Sequence, residues 1–114
     1  MLAKDNRISK TTDYNNIYKN GKKIPGKYII TYILNNDLGH NRYGIVTSKK
    51  IGNAVIRNKA KRRLRSIIRL NMKKIKPSHD IVIIGRYKIR GIKFALLSKD
   101  FITVMRKSGL WCKD

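Results

Sequence analysis

The stretch KKIGNAVIRNKAKRRLRSIIR, residues 49–69, decides the fold and carries much of the charge. Seven of its last thirteen residues are Lys or Arg, and none is acidic. At about 100° per residue, its apolar positions fall within about 120° of arc on a helix. These positions are Ile56, Ala60, Leu64, Ile67 and Ile68. The pattern predicts an amphipathic helix that packs on a core, with Asn53 as its N-cap.

The opposite face of this helix carries a row of basic side chains. Arg62, Arg65 and Arg69 follow Asn58 on one stripe about 16 Å long, with Lys59 and Lys61 on its shoulders. Like charges four residues apart destabilise a helix by about 0.2–0.5 kcal/mol per pair. A solvated helix face normally mixes charges of both signs, whereas Arg offers a planar fork for phosphate. The stripe therefore predicts contact with several phosphates.

The composition points to the same class of partner. The chain has 114 residues, with 28 Lys and Arg against six acidic residues, a net charge of +22. All six acids are Asp, and none lies between Asp37 and Asp80. A hydrophobic content of 41% predicts one folded domain, residues 1–114, in which we expect residues 1–8 to be flexible. Such a charge favours nucleic acid as partner, with an anionic membrane surface second.

Other classes of protein receive little support. No apolar run reaches the roughly 18–20 residues of a membrane span, and the first residues lack a signal-peptide core. Cys112 is the single cysteine, so neither a disulfide within the chain nor a cysteine metal site is expected. The histidines, His40 and His79, lie in loop-like contexts, and there is no Glu. We expect a cytoplasmic protein with no catalytic residue and no metal site of its own.

Local signals predict the order of elements. Thr11 or Thr12 caps a first helix, and Gly21 suits a left-handed position at its end. Pro25-Gly26 is a turn or bulge signal within an extended segment, and turn or cap residues also precede the later elements. The predicted elements are a helix over 11–21, extended chain over 22–34, a strand over 43–48, the basic helix, a strand over 80–86 and a helix over 94–107. The order α-β-β-β-α-β-α predicts an α+β fold, a two-layer sandwich of a small mixed sheet and three helices.

Residues 48–65, SKKIGNAVIRNKAKRRLR, resemble the signature of the protein subunit of bacterial ribonuclease P. The flanking segments DYNNIYKNG, YIITYIL, DIVIIGR and VMRKSGLW also fit that family, so the resemblance covers roughly residues 6–111. Lys59 stands where the family has Arg, which keeps the charge but not the bidentate geometry.

The resemblance implies a function that composition does not show. Proteins of this family join a catalytic RNA, which removes the 5′ leader of precursor tRNA with Mg²⁺ at the RNA active site. The protein alone would bind no cofactor, would be monomeric when free, and would contact neither DNA nor membrane. The family also has a left-handed β-α-β crossover through the basic helix, although about 98% of such crossovers are right-handed.

The resemblance further implies two RNA-binding sites. The surface for the catalytic RNA comprises Arg57, Asn58, Lys59, Lys61, Arg62, Arg65 and Arg69. The cleft for the leader comprises Tyr14, Tyr18, Tyr32, Ser48, Lys50 and Arg86. From the residues alone, Tyr14 and Tyr18 share a helix face and either pack on the sheet or stack on bases; the resemblance favours the cleft.

Four alternatives follow from size and charge. A ribosomal or other structural RNA-binding protein fits them equally well, but it needs neither the 48–65 signature nor an aromatic cleft. A DNA-binding module predicts a dimer with a recognition helix. A self-sufficient nuclease needs paired His or carboxylate groups. A membrane-surface protein needs a larger free apolar face than the basic helix offers.

Overall fold

The computed structural model of the protein describes residues 2–112, and it has the predicted order of elements. Short 3₁₀ turns at Lys4–Asn6, Met72–Lys74 and Tyr87–Ile89 supplement these elements. The helices and strands are α1 (Thr11–Asn20), β1 (Lys22–Pro25), β2 (Ile29–Asn35), β3 (Arg42–Val46), α2 (Ala54–Asn71), β4 (His79–Gly85) and α3 (Phe94–Ser108). The α+β fold class is confirmed.

The four strands form one mixed sheet in the order β1-β2-β4-β3. β2 runs antiparallel to both β1 and β4, and β3 runs parallel to β4. Val82 in β4 lies opposite Tyr32 on one side and Gly44 on the other. Because β3 and β4 are parallel, the residues that follow them lie at the same end of the sheet.

The helices cover the two faces of the sheet unequally. Leu64 of α2 and Phe101 of α3 join the main core with Ile81 and Ile83, so the sheet and these two helices form two packed layers. α1 lies on the opposite face, where its one buried residue, Ile17, packs against Val82. Part of that second face is left without a helix over it.

The crossover from β3 through α2 to β4 is left-handed, as the family resemblance implies. In an extended chain of L-residues running upward, a residue whose side chain faces the viewer points its N–H and C=O to the right. The N–H of Arg86 bonds the carbonyl of Tyr28 at 2.9 Å, so even-numbered residues of β4 bond β2. Val82 is even-numbered and faces α1. Viewed from the α1 side with β4 running upward, β2 therefore lies to the right of β4 and β3 lies to its left. Viewed from the α2 side, β4 therefore lies to the left of β3, so the connection through α2 is left-handed.

The first described residues, which belong to the segment 1–8 that we expect to be flexible, pack against the sheet. Leu2 and Ile8 are buried, and the N–H of Ile8 donates to the carbonyl of Tyr43 at 2.9 Å. Arg7 pairs with Tyr43 as a parallel bridge beside β3. Two isolated apolar residues carry no periodicity, which is why the sequence did not signal this packing. Met1 lies outside the described residues.

The helix ends agree with the sequence except at α1. The Asn53 side chain accepts from the Ile56 N–H at 3.0 Å, and Gly109 adopts φ 81° after α3. The predicted left-handed Gly21 is wrong, because its φ is −80°, and Lys10 rather than Thr11 or Thr12 precedes α1. A Cβ at Gly21 would lie 2.5 Å from the Ile17 carbonyl oxygen, so this glycine permits close approach rather than a left-handed turn.

A buried ion pair links α1, β3 and β4 at the end of the sheet where β4 begins. Asp80 is 5% exposed and accepts from Arg42 Nε at 2.8 Å and Nη2 at 2.6 Å, and from Asn36 Nδ2 at 2.8 Å. Burial alone would raise the pKa of Asp80, but these hydrogen bonds outweigh it, and the pKa is lowered. Arg42 Nη1 also lies 3.4 Å from an Asp13 oxygen, so α1, β3 and β4 share one arginine.

We predict that Asp80→Asn lowers the free energy of unfolding by about 3 kcal/mol, because it leaves a half-buried guanidinium without its main partner. Urea denaturation at neutral pH measures this. The folded-state pKa is lowered, so the carboxylate stabilises the fold above its unfolded pKa and loses this effect as the pH falls through the folded value. The difference between wild type and variant should therefore shrink in acid. Asp37→Asn removes an exposed carboxylate and should leave stability nearly unchanged.

Candidate nucleic-acid interface

The predicted basic stripe forms one exposed face of α2. Ala60, Leu64, Ile67 and Ile68 are buried, as the apolar pattern predicted. The opposite face is exposed at Asn58, Lys59, Arg62, Arg65 and Arg69, whereas Arg57 and Lys61 are partly exposed. All seven side chains predicted for the RNA surface thus belong to one helix, with the five exposed ones turned away from the core.

The charge of α2 is not neutralised within the described part of the chain. The ion pairs among residues 2–112 both belong to Arg42, and none involves a basic residue of α2. Arg57 Nε is buried without a hydrogen-bond partner among these residues. Because no carboxylate competes for them, these cations are free to bind an external polyanion.

Arg7 extends the stripe and was missed by the sequence analysis. It lines a depression of about 410 Å³ with Arg62, Arg65 and Arg69 of α2. A smaller one of about 140 Å³ is lined by Arg7, Arg65 and also Tyr14 of α1. The two predicted sites therefore meet around the β3 side of the sheet. The packing of the first residues places Arg7 here, and no local sequence pattern indicated it.

The three predicted tyrosines form one cluster. The ring centroids of Tyr14 and Tyr18 are 6.4 Å apart, and those of Tyr18 and Tyr32 are 5.1 Å apart in an edge-on arrangement. Burial raises the pKa of Tyr14 and, with the two neighbouring phenols, that of Tyr18. Both phenols are therefore protonated at neutral pH. Tyr14 Oη donates to the Ile8 carbonyl at 3.2 Å, while Tyr18 is 37% exposed.

The part of the sheet that α1 leaves uncovered lies beside this cluster, where the family resemblance implies a cleft. Ile30, Ile84 and Val46 lie opposite one another across β2, β4 and β3, on the same face as Tyr32. All three are only partly buried, because α1 covers the neighbouring Val82 instead. The strand pattern alone did not single out these residues as part of a binding surface.

Polar and basic side chains lie where this face ends. Ser48 and Lys50 are exposed on the turn after β3, and Arg86 follows β4. Arg86 Nη1 donates to the Gly26 carbonyl at 2.8 Å, which fixes its guanidinium at this edge. The parallel strands thus bring Ser48, Lys50 and Arg86 to the same end of the sheet, while the predicted tyrosines lie on its face.

Other kinds of site lack a basis in the described residues. Among residues 2–112, no three His, Cys, Asp or Glu side chains lie together as metal ligands. His40 Nε2 contacts the Asp5 carbonyl at 3.1 Å, and Asp80 is engaged by Arg42. Within the same range, no helix has the length and hydropathy needed to cross a membrane.

Comparison with known proteins identifies the family of the chain. The family model described as Ribonuclease P matches residues 2–109. The chain belongs to the ribonuclease P protein family. It is 42% identical to the ribonuclease P protein component of Syntrophomonas wolfei over 114 residues, covering 100% of this chain and 96% of the relative. It is 36% identical to that of Clostridioides difficile over 104 residues, or 90% and 91% of the two chains.

Solved structures of ribonuclease P proteins share the fold. The Staphylococcus aureus protein superposes with a TM-score of 0.86 at 32% identity, covering 93% of this chain and 97% of its own. The Thermotoga maritima protein gives 0.83 at 30% identity, covering 89% and 96%. As a ribonuclease P protein, the chain is a subunit of an endoribonuclease ribonucleoprotein, and its partner is ribonuclease P RNA.

A substitution at Gly44 tests how closely Tyr14 packs on the sheet of this ribonuclease P protein. A Cβ at this position would lie 2.6 Å from Tyr14 Oη and 2.8 Å from Cε1. We expect Gly44→Ala to push Tyr14 off the sheet and to lower the free energy of unfolding by about 1–3 kcal/mol. Tyr14→Ala removes the obstructing ring, so adding Gly44→Ala to that variant should cost little. Equal costs in the two backgrounds, measured by a double-mutant cycle, would contradict this packing.

Proposed function

We propose that this protein binds the single-stranded 5′ leader of precursor tRNA in the cleft between α1 and the open sheet face. The α2 stripe then contacts ribonuclease P RNA, and the ribonucleoprotein removes the leader. The observation that carries the proposal is the row of exposed cations on α2, none of which has an acidic partner among residues 2–112. A folded RNA supplies the array of phosphates that relieves their mutual repulsion.

The cleft has the properties that single-stranded RNA needs. Tyr18 is exposed beside Tyr32, and partly buried aliphatic side chains form the adjacent floor. Base–aromatic stacking contributes about 1–3 kcal/mol per base and tolerates any base, which suits a protein that meets many leader sequences. Lys50 and Arg86 at the edge provide positive charge for the leader backbone.

We assign the chemical step to the RNA subunit. Mg²⁺ bound there would supply the metal-ion chemistry of phosphodiester hydrolysis, and we expect this chain to contribute no cofactor of its own. Its role is to hold substrate and RNA together, and we expect it to be monomeric when free and to act in the cytoplasm. Because the chain belongs to this family, no observation favours a ribosomal or other structural RNA-binding role.

The first experiment tests the α2 surface. Arg62→Ala/Arg65→Ala should fail to restore precursor-tRNA cleavage by ribonuclease P RNA at low Mg²⁺, where wild type restores it. Removing two phosphate contacts should also reduce the slope of log affinity against log salt by about 1.5. Cleavage assays and filter binding across a salt series measure both effects.

Lys99→Ala/Lys107→Ala is the matched control. It removes the same charge from exposed positions on α3, outside the proposed surface. We expect it to retain cleavage and nearly the full salt slope. If both double variants lose activity equally, net charge rather than the α2 stripe drives assembly, and the proposed surface is wrong.

A second experiment tests the cleft. Tyr18→Ala should weaken holoenzyme binding to precursor tRNA about 5-fold or more, because a stacking surface is lost. Binding to mature tRNA, which has no leader, should not change. Tyr18→Phe keeps the ring and should behave as wild type. An equal loss for precursor and mature tRNA would show that Tyr18 does not contact the leader.

A further inference from the structure

A recess beside the single tryptophan of the chain has no part in the proposed function. It has a volume of about 500 Å³ and is lined by Lys76, Arg106, Gly109 and Trp111. Trp111 is partly exposed, and Arg106, near the end of α3, is exposed. The guanidinium carbon of Arg106 lies 6.0 Å from the centroid of the Trp111 ring. The sequence predicts no binding role for these residues.

The backbone on both sides of Trp111 is anchored to the chain that follows α2. The N–H of Lys76 donates to the Leu110 carbonyl at 2.8 Å. The N–H of Cys112 donates to the Lys74 carbonyl at 2.7 Å. Because these bonds already fix the position of the tryptophan, little conformational freedom is lost when its ring binds a partner.

The recess lies at the end of the sheet where β3 and β4 begin. The Asn41 side chain, directly before β3, donates to the Lys76 carbonyl at 2.9 Å. The predicted leader residues Ser48 and Arg86 follow β3 and β4, so they lie at the other end of the sheet. The seven residues of β4 span about 20 Å between these ends. Trp111 also packs against the main core, on the side of α2 and α3. The recess is therefore separate from the proposed leader cleft.

The charge of the segments around the recess favours a polyanion. The stretch 69–76 contains four Lys or Arg, the stretch 106–112 contains two, and neither contains an acidic residue. An apolar partner would remove water from these cations without offering them an anion. An RNA offers a phosphate to the cations and a base to the aromatic ring.

We propose that Trp111 and Arg106 form a stacking site for one unpaired nucleotide of ribonuclease P RNA, with Lys76 beside its phosphate. The inference rests on the proposed function, because it requires this RNA to lie along α2. Only the Met72–Lys74 turn separates the end of α2 from the strand-like segment that pairs with Trp111. RNA that extends beyond the C-terminal end of α2 therefore meets the recess next.

The fluorescence of the protein tests this site directly. Trp111 is the only tryptophan of the chain, so tryptophan emission reports on the recess alone. Ribonuclease P RNA titrated into the full-length protein should quench this emission as binding saturates, because a stacked base contacts the indole ring. Precursor tRNA added to the protein at the same concentrations, without the RNA subunit, should leave the emission nearly unchanged.

Variants of the recess test its contribution to affinity. Trp111→Ala should weaken binding to ribonuclease P RNA about 5-fold or more, whereas Trp111→Phe keeps a stacking ring and should bind nearly as wild type. Arg106→Gln leaves the ring in place, and it should lower the slope of log affinity against log salt by about 0.7–0.9. Lys107→Gln is the matched control, because it removes the same charge from the next exposed position, which does not line the recess.

The remaining outcomes separate this inference from the proposed function. If RNA binding leaves the emission unchanged and Arg106→Gln binds like Lys107→Gln, the site is overturned, while a loss in Arg62→Ala/Arg65→Ala still supports the α2 surface. A loss of affinity in Trp111→Ala that only follows a lower unfolding temperature, with Arg106→Gln unaffected, makes the tryptophan structural and also overturns the site. Quenching by precursor tRNA but not by the RNA subunit overturns it as well. If neither the α2 variant nor any recess variant weakens RNA binding, the proposed function and this inference both fail.

Discussion

The burial of one face of α2 against the parallel pair β3 and β4 is the constraint on which the molecule depends. Leu64, Ile67 and Ile68 are fully buried in the main core with Ile81 and Ile83. Burying a large aliphatic side chain contributes about 1.5–3 kcal/mol, against a few tenths for each repulsive pair on the exposed face. The apolar face can therefore hold a helix whose other face carries mutually repelling charges, the face that we propose contacts RNA. Stability and function are divided between two sides of one helix.

The same strand pair determines where the proposed leader cleft lies. Parallel strands joined through α2 leave the opposite face to α1, which is short and buries Ile17 alone. The uncovered remainder of that face becomes the floor at Ile30, Val46 and Ile84. The cleft is therefore a consequence of incomplete coverage, and the Asp13–Arg42–Asp80 contacts hold α1 at the end it does cover.

The sequence predicted the features that depend on local periodicity and caps. Both long helices, the Asn53 cap and the stop at Gly109 followed from spacing and residue type within a few turns. The features it missed depend on contacts between distant segments. Gly21 has its role because β1 begins at once, Arg7 joins the stripe because Ile8 pairs with Tyr43, and Ile84 lines a cleft because α1 stops short. The left-handed crossover came only from the family resemblance, since a sequence does not reveal which face a helix will cover.

The two outer strands also determine how the sheet behaves beside other copies of itself. On one side, Arg7 and Ile8 pair with β3 and occupy backbone groups of its outer edge. On the other side, β1 is only four residues long, begins with Lys22 and Lys23, and ends at Pro25, which has no N–H to offer. Short, charged or proline-containing edges resist the addition of a foreign strand. A chain rich in β-branched residues thus keeps its sheet closed to edge-to-edge aggregation, even where RNA has neutralised the charge that would otherwise hold the molecules apart.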